Sequence, residues 1–395
     1  MTLRTVDQLV AQGLRGQRIL VRADLNVPLA EGRVGDDTRI RAALSTLRKL
    51  LAAGGRVVLA SHLGRPGGKP DPALSLRPVA DRLADLLGRT VAFCPDCVGP
   101  AAEAAVAALR DGELLVLENV RFRPGETRND DALARGFAAL ADVYVNDAFG
   151  TAHRAHASTA GVAGHVPQRA AGDLLCNELE RLARVRHPER PLLCLIGGAK
   201  VSDKLGVLEA LAPHTDVLCI GGAMAYTFLQ VLGQPVGASR VEPERAGDAE
   251  RVLAAAEKAG RRLLLPTDHV VAQRLEADAP CRTVEAIPDD WMALDIGPAT
   301  AAAYAAEARA ARTLFWNGPM GVFEMPAFAA GTRAVARAAA ASPALSIVGG
   351  GDSLAAVNQL GLGGAIGHLS TGGGASLEFI QGLPLPGVVA LEACA

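Results

Sequence analysis

Residues 192–204 read Leu192-Leu193-Cys194-Leu195-Ile196-Gly197-Gly198-Ala199-Lys200-Val201-Ser202-Asp203-Lys204. Five consecutive apolar residues are too few for a helix and suit a buried strand, and the glycine pair after them suits a tight turn. The pattern predicts that a helix opens within the segment that follows, with Lys200 and Lys204, four apart, on one helical face. Cations in a helix's first turn oppose the macrodipole at a cost of roughly 0.3–1 kcal/mol each when exposed, whereas anions are favoured there. The segment makes sense if a phosphate group is held by both lysines and by free backbone N–H groups. Two solvated lysines on an ordinary helix are the plainer reading.

The same rhythm extends in both directions. Upstream, strands are predicted at about 18–23, 56–61, 90–94, 114–118 and 142–146; downstream, at about 216–220, 262–266, 282–286, 313–317 and 345–349. Ala/Leu/Arg-rich stretches such as 38–53 and 248–259 read as helices between them. Alternating strand and helix units imply parallel sheets covered on both faces. With 395 residues, two domains are the natural expectation. The fold expected is α/β, with two doubly wound, Rossmann-like lobes, 1–170 and 171–386, joined by a hinge helix at about 171–186.

Bulk properties narrow the function. Half the residues are hydrophobic but only 4% are aromatic, so Ala, Val and Leu fill the cores. Forty basic residues against 42 acidic ones give a net charge of −2, without the basic excess that broad nucleic-acid binding leaves. No apolar stretch at the start resembles a secretory signal, and no run of about 18 apolar residues suits a membrane span. Seven scattered cysteines suit a reducing cytoplasm. Cys94 and Cys97 have CxxC spacing but lack the second pair or histidines that a zinc site needs, and read as incidental.

In open parallel sheets, ligands bind beyond the carboxyl ends of the strands. In the first half those ends and adjoining loops carry Arg22, Arg39, Arg65, Arg121 and Arg154, with His62 beside them. Arginine suits phosphate and carboxylate because its planar fork donates paired hydrogen bonds and keeps its charge. Asp24 and Asn26 alternate with Arg22 along an extended segment and share its side. Any one of these arginines reads best as a surface ion-pair partner, but five together point to an anion.

The second half carries glycine turns instead. Gly349-Gly350-Gly351-Asp352-Ser353 repeats the strand–glycine–helix order, and Gly372-Gly373-Gly374 offers another such turn. Helix N-capping is the plain account of Asp352 and Ser353. With three glycines, the acid also fits a carboxylate directed at Mg²⁺ beside a phosphate. Glu324, after Trp316-Asn317-Gly318-Pro319, suits ribose hydroxyls. No Walker A sequence is present, since Gly64–Pro70 has the wrong spacing, and neither half has a G-x-G-x-x-G at its first turn.

On these residues the chain resembles the phosphoglycerate kinase family from end to end. The resemblance is carried by Arg22–Pro28, Ser61–Pro66, Glu118–Phe122, Ala152–His156, Gly197–Lys204, Gly221–Phe228, Asp295–Pro298, Trp316–Glu324, Gly349–Ser353 and Ser370–Leu377, in the family's order. It implies reversible phosphoryl transfer between 1,3-bisphosphoglycerate with MgADP and 3-phosphoglycerate with MgATP. Arg22, Asp24, Asn26, Arg39, His62, Arg65, Arg121 and Arg154 would then hold the glycerate. Lys200, Lys204, Gly221, Gly222, Asn317, Glu324, Gly349–Ser353, Gly372 and Gly373 would hold ATP or ADP, with Asp352 on Mg²⁺. Arg39 and Lys204 would meet the moving phosphoryl group, and Lys200 the adjacent phosphates. The resemblance further implies that residues 387–395 return to the first lobe, and Glu178 and His368 are expected to pair at the hinge.

A cytoplasmic monomer acting on small molecules is expected. Some positions depart from the family pattern: Asp173 replaces an apolar residue, which puts helix packing there in question, Ala293 replaces a glycine, and Cys94/Cys97 are unusual. A catalytically silent sensor on the same fold is the alternative, although such a protein is expected to lose Lys204, Arg39 or Asp352. A nicotinamide-dependent dehydrogenase lacks its glycine fingerprint here.

Overall fold

The apolar runs form the strands that their composition favours. In the computed structural model, which describes residues 3–392, Arg18–Ala23, Arg56–Ala60, Leu114–Leu117 and Val143–Asp147 are almost wholly buried, as strands covered on both faces must be. They join Ala92–Cys94 and Gln168–Ala171 in a parallel six-stranded sheet. Its order is Ala92–Cys94, Leu114–Leu117, Arg56–Ala60, Arg18–Ala23, Val143–Asp147, Gln168–Ala171. Helix Thr38–Ala52 lays Ile40, Ala43, Leu44, Leu47, Leu50 and Leu51 into this core.

A second parallel sheet runs Arg262–Leu264, Val217–Ile220, Leu192–Ile196, Thr313–Asn317, Leu345–Gly349, His368–Ser370. Numbered along the chain, this is the 3-2-1-4-5-6 order of dinucleotide-binding folds, whose ligand crevice lies where the order reverses. That reversal falls between Leu192–Ile196 and Thr313–Asn317. The chain divides into two compact units, one reaching Leu179 and resuming at Pro384, the other Glu180–Leu383. In the first, Asn146 Nδ2 donates to Gly387 O at 3.0 Å and Gly387 N to Ala152 O at 2.8 Å, tying down helix Pro386–Glu392. Residues 393–395 of the expected returning segment lie outside the described residues.

Three expectations change. The helix expected at about 171–186 starts only at Asp173 and runs to Arg186, and Gln168–Ala171 before it is a strand paired with Val143–Asn146. Gly172 separates them, because a Cβ there would lie 2.1 Å from Asp147 Oδ1, which accepts the N–H groups of Leu174 and Leu175. The strand expected at 282–286 is Cys281–Val284, and it belongs to an antiparallel sheet with His269–Ala272 and Met292–Ile296, outside the parallel one. Asp173 costs the helix no packing, since its carboxylate takes Lys49 Nζ at 3.0 Å and Ser45 Oγ at 2.5 Å. Cys94 and Cys97 are buried free thiols, and burial pushes Cys97 up to about 12.

Candidate active site

In the first unit, strand Arg18–Ala23 delivers Arg22, Asp24 and Asn26 to the carboxyl edge of the sheet. Asp24 Oδ2 accepts from Arg39 Nη1 at 2.8 Å. Asn26 Oδ1 accepts from Gly64 N at 2.9 Å, and Gly64 O accepts from Arg121 Nη1 at 2.7 Å, so one glycine residue links Asn26 to Arg121. Arg121 Nε is buried without a protein partner, and desolvation, reinforced by Arg22 and Arg154, lowers its guanidinium to about 10. A donor held dry beside two more arginines is costly unless an anion completes it.

Arg65, Arg121 and Arg154 line one cleft of about 580 Å³ with Arg123, Arg128 and His156, and no carboxylate lines it. Arg123 is already paired with Asp96. Burial, then Arg22, Arg121 and Arg154, holds His156 down at about 4, so it is neutral at pH 7. His62 is pushed well below the ordinary histidine range by burial, then by Arg22, Arg121 and Arg39. The 3.9 Å approach of His62 Nδ1 to Asp24 is therefore no ion pair. Instead Nδ1 faces Arg22 Nη2 at 3.3 Å, and because a guanidinium only donates, the neutral ring carries its proton on Nε2.

Arg22 departs from expectation. It has no exposed surface, and its Nε, Nη1 and Nη2 donate to Ser158 Oγ at 2.8 Å, Ala23 O and His62, so it stands behind the arginines that line the cleft. Two groups went unrecognised in the sequence, Glu126 and Ser158, both fully buried and hydrogen-bonded at 2.6 Å. Glu126 sits among Arg121, Arg123 and Arg128 in the sequence, but nothing local marks it as buried.

In the second unit the glycine turns meet backbone to backbone. A Cβ on Gly197 would lie 2.1 Å from Pro319 O, one on Gly318 2.1 Å from Gly197 O, and one on Gly222 2.5 Å from Gly198 O. Gly222 and Gly318 also adopt positive φ, +69° and +97°. Gly221 N donates to Ile196 O at 2.9 Å, bringing its own turn alongside. Lys204 Nζ donates to Asn317 Oδ1 across the point where the strand order reverses. Burial lowers the Lys204 ammonium, against the pull of Asp203 and Asp352. Asn317 Nδ2 is buried without a protein partner among the described residues.

Lys200 and Lys204 do not share a helical face. The helix is Leu205–Leu211, Lys204 is its N-cap, and the residues before it form turns, because Gly198 at φ +136° turns the chain away from helix. Glu242 steadies those turns, accepting Ser202 Oγ at 2.7 Å and Ser202 N at 3.2 Å, a clamp the sequence did not reveal. Ser353 is also redirected: it is fully buried and accepts Gly318 N at 2.6 Å, so it props a glycine turn. Gly349 pairs with Asn317 in register, Gly350 has φ +91°, and Gly351 starts the helix that exposes Asp352 in its first turn. Gly372 N donates to Ser370 Oγ at 3.3 Å and Gly373 has φ +54° before helix Gly374–Ile380. Lys200 and Glu324 are exposed.

The first unit thus offers an arginine-lined anion cleft, and the second a desolvated lysine among glycine turns at a nucleotide-type crevice. The family profile described as Phosphoglycerate kinase matches residues 9–383. The phosphoglycerate kinase of Moorella thermoacetica is 59% identical over 381 residues, 96% of this chain and 97% of the relative. That of Anaeromyxobacter sp. (strain K) is 54% identical over 398 residues, 99% of this chain and all of the relative. Among solved structures, phosphoglycerate kinase from Coxiella burnetii matches with a TM-score of 0.90 at 41% identity, covering 99% of both chains. The enzyme from Pyrococcus horikoshii OT3 matches at 0.83 with 31% identity, covering 100% of this chain and 99% of that one. Sequence and fold agree over the whole length with the chemistry of both clusters, and the chain belongs to the phosphoglycerate kinase family.

Proposed function

We propose that the arginine cleft of the first unit holds the glycerate substrate while the glycine turns of the second hold ATP or ADP. Family membership makes the chain a phosphotransferase with a carboxyl acceptor. The observation that carries the site assignment is the Lys204–Asn317 pair, a desolvated cation at the crevice of a 3-2-1-4-5-6 sheet. In the direction that consumes ATP, the carboxylate of 3-phosphoglycerate attacks the γ-phosphorus of ATP. The bond to the β,γ-bridging oxygen breaks, and ADP leaves with that electron pair. The carboxylate is nucleophile enough without a general base, so the protein's task is in-line placement and charge neutralisation.

Lys204 and Arg39 are assigned to the moving phosphoryl group and Lys200 to the neighbouring phosphates. Asp24, Asn26, His62, Arg65, Arg121 and Arg154 are assigned to the glycerate, with Arg22 behind them. Asn317 Nδ2, the backbone N–H groups of Gly221, Gly222, Gly349–Gly351, Gly372 and Gly373, and the Glu324 carboxylate are assigned to the nucleotide. Among the described residues no three His, Cys, Asp or Glu side chains stand together as a metal cage. One exposed carboxylate, Asp352, at a glycine turn fits Mg²⁺, which binds through one or two carboxylates plus substrate phosphates. When bound, Mg²⁺ neutralises charge on the nucleotide phosphates.

Both sets of groups must act on one phosphoryl group, and Glu178 with His368 is proposed as the hinge element that permits it. We place the enzyme in the cytoplasm as a monomer acting on small molecules. In support, no described helix is long and apolar enough to cross a membrane, and a net charge of −2 lacks the basic excess that broad nucleic-acid binding leaves. The test is acyl-phosphate formation from 3-phosphoglycerate and MgATP, trapped with hydroxylamine. Product is expected. Nucleotide binding without product would support a silent sensor instead.

A further inference from the structure

Four side chains with almost no exposure are joined in series behind the glycerate cluster. Glu126 Oε1 accepts from Ser158 Oγ at 2.6 Å, and Glu126 Oε2 accepts from Ser158 N at 3.0 Å. Ser158 Oγ in turn accepts from Arg22 Nε at 2.8 Å, and Arg22 Nη2 donates to His62 Nδ1 at 3.3 Å. Glu126, Ser158 and Arg22 are 0% exposed and His62 4%.

A guanidinium without surface needs a counter-charge inside the protein. Asp24 commits Oδ2 to Arg39 at 2.8 Å. Glu126 shares Ser158 with Arg22, and both of its oxygens point at that serine. The bonds from Arg22 to Ser158 and from Ser158 to Glu126 run head to tail and strengthen one another in a dry interior, which fixes the guanidinium that also donates to His62. The direction of the series is also fixed at its far end: guanidinium donates, so His62 Nδ1 accepts and Nε2 keeps the ring proton.

We propose that Glu126 is a positioning residue for His62, acting through Ser158 and Arg22 to hold the ring with its Nε2–H as the donor offered to an oxygen of the glycerate substrate. The proposal rests on reading His62 as a substrate ligand. A plainer role for Glu126 is a loop staple, since its carbonyl also accepts Ala157 N at 3.0 Å. A staple's loss lowers the melting temperature without reaching the His62 ring.

The two roles separate in Glu126→Gln, studied by steady-state kinetics and by ¹⁵N NMR of histidine-labelled full-length enzyme, with the His62 signal assigned by its loss in His62→Gln. Replacing a charge-assisted acceptor by a neutral one is expected to raise KM for 3-phosphoglycerate roughly five- to tenfold. The KM for MgATP should stay unchanged, and the His62 shifts should move from a single Nε2–H tautomer toward a mixture. Ser158→Ala, a smaller perturbation, should reproduce both effects and covers the case in which Glu126→Gln does not fold. A lower melting temperature with an unmoved His62 signal and unmoved KM would overturn the proposal. So would a rise in both KM values alike. If His62→Gln itself leaves KM for 3-phosphoglycerate unchanged, the substrate reading of His62 falls, whatever Glu126 does.

Discussion

Lys204 donates its ammonium to the side-chain oxygen of Asn317, and the nitrogen of that same amide is left buried with no protein partner. The pair spans the point where the strand order of the second sheet reverses. It therefore joins a partly desolvated cation to an unused donor where a phosphate chain would lie.

Removing that cation tests its role in the transition state. Lys204→Ala is expected to lower kcat roughly 10²–10³-fold, the usual cost of losing one preorganised charge-stabilising donor. Hydroxylamine-trapped acyl phosphate measures it, and equal turnover in both proteins would remove Lys204 from the chemistry.

The pH dependence has a definite sign. Burial lowers the Lys204 ammonium, so its charge is present below that lowered value and lost above it, earlier than in a free lysine. Turnover should fall on the alkaline side before the ordinary lysine range. In Lys204→Arg the same limb should shift to higher pH, whatever activity remains. A limb that stays in place would trace the titration to another group.

Asp352 is expected to matter through the metal. Asp352→Asn should raise the Mg²⁺ concentration needed for half-maximal turnover by roughly tenfold or more, judged against the cost of weaker outer-shell losses. Binding of 3-phosphoglycerate, followed by calorimetry, should not change. Restoration of turnover by excess Mg²⁺ would support the assignment, and an unaltered Mg²⁺ requirement would exclude it.

Asp147 predicts a stability effect unrelated to catalysis. Its Oδ1 accepts Leu174 N and Leu175 N, yet burial, the largest influence, raises its carboxyl to about 6. A carboxyl raised in the folded state stabilises it below the unfolded value near 4, and that contribution is lost as pH rises to about 6, a change of roughly 3 kcal/mol. Asp147→Asn keeps an acceptor for both N–H groups. It should flatten the melting-temperature profile between about pH 4 and 6 and be no less stable than the parent at pH 7. Parallel profiles for the two proteins would show that Asp147 does not titrate in that window.

Glu178, buried in helix Asp173–Arg186, bears on the proposed hinge. Glu178→Gln should lower kcat more than it raises either KM, because a conformational step is disturbed and no ligand contact is lost. Unchanged turnover would end the hinge assignment.

Much of the fold was legible because apolar runs and glycine turns are local signals. The strands at 18–23, 192–196, 313–317 and 345–349 coincide with the predicted ranges, since each is a short apolar run closed by polar or glycine residues. His269–Ala272 and Met292–Ile296 were missed because their apolar runs are broken: Asp295 interrupts the second, and the first offers only three apolar residues in a row. Cys281–Val284 was recognised as a strand but assigned to the parallel pattern, because pairing direction is a long-range property. The helix expected to open among Lys200–Lys204 begins at Leu205 because Gly198 and the turns after it precede it.

The sequence by itself determined the residue types at the strand ends, and with them the division into an arginine-bearing half and a glycine-bearing half. Residue type and strand periodicity are carried by neighbours along the chain. Only the tertiary structure decided which charged groups are dry. Arg22 and Arg121 look alike in the sequence, yet the first is enclosed by Ser158 and His62 while the second reaches a cleft. Glu126 and Glu324 are equally plain acids, and packing buries the first completely and leaves the second exposed. Burial depends on segments far apart in the chain, and it is burial that sets the charge, the hydrogen-bond partners and hence the role of each group.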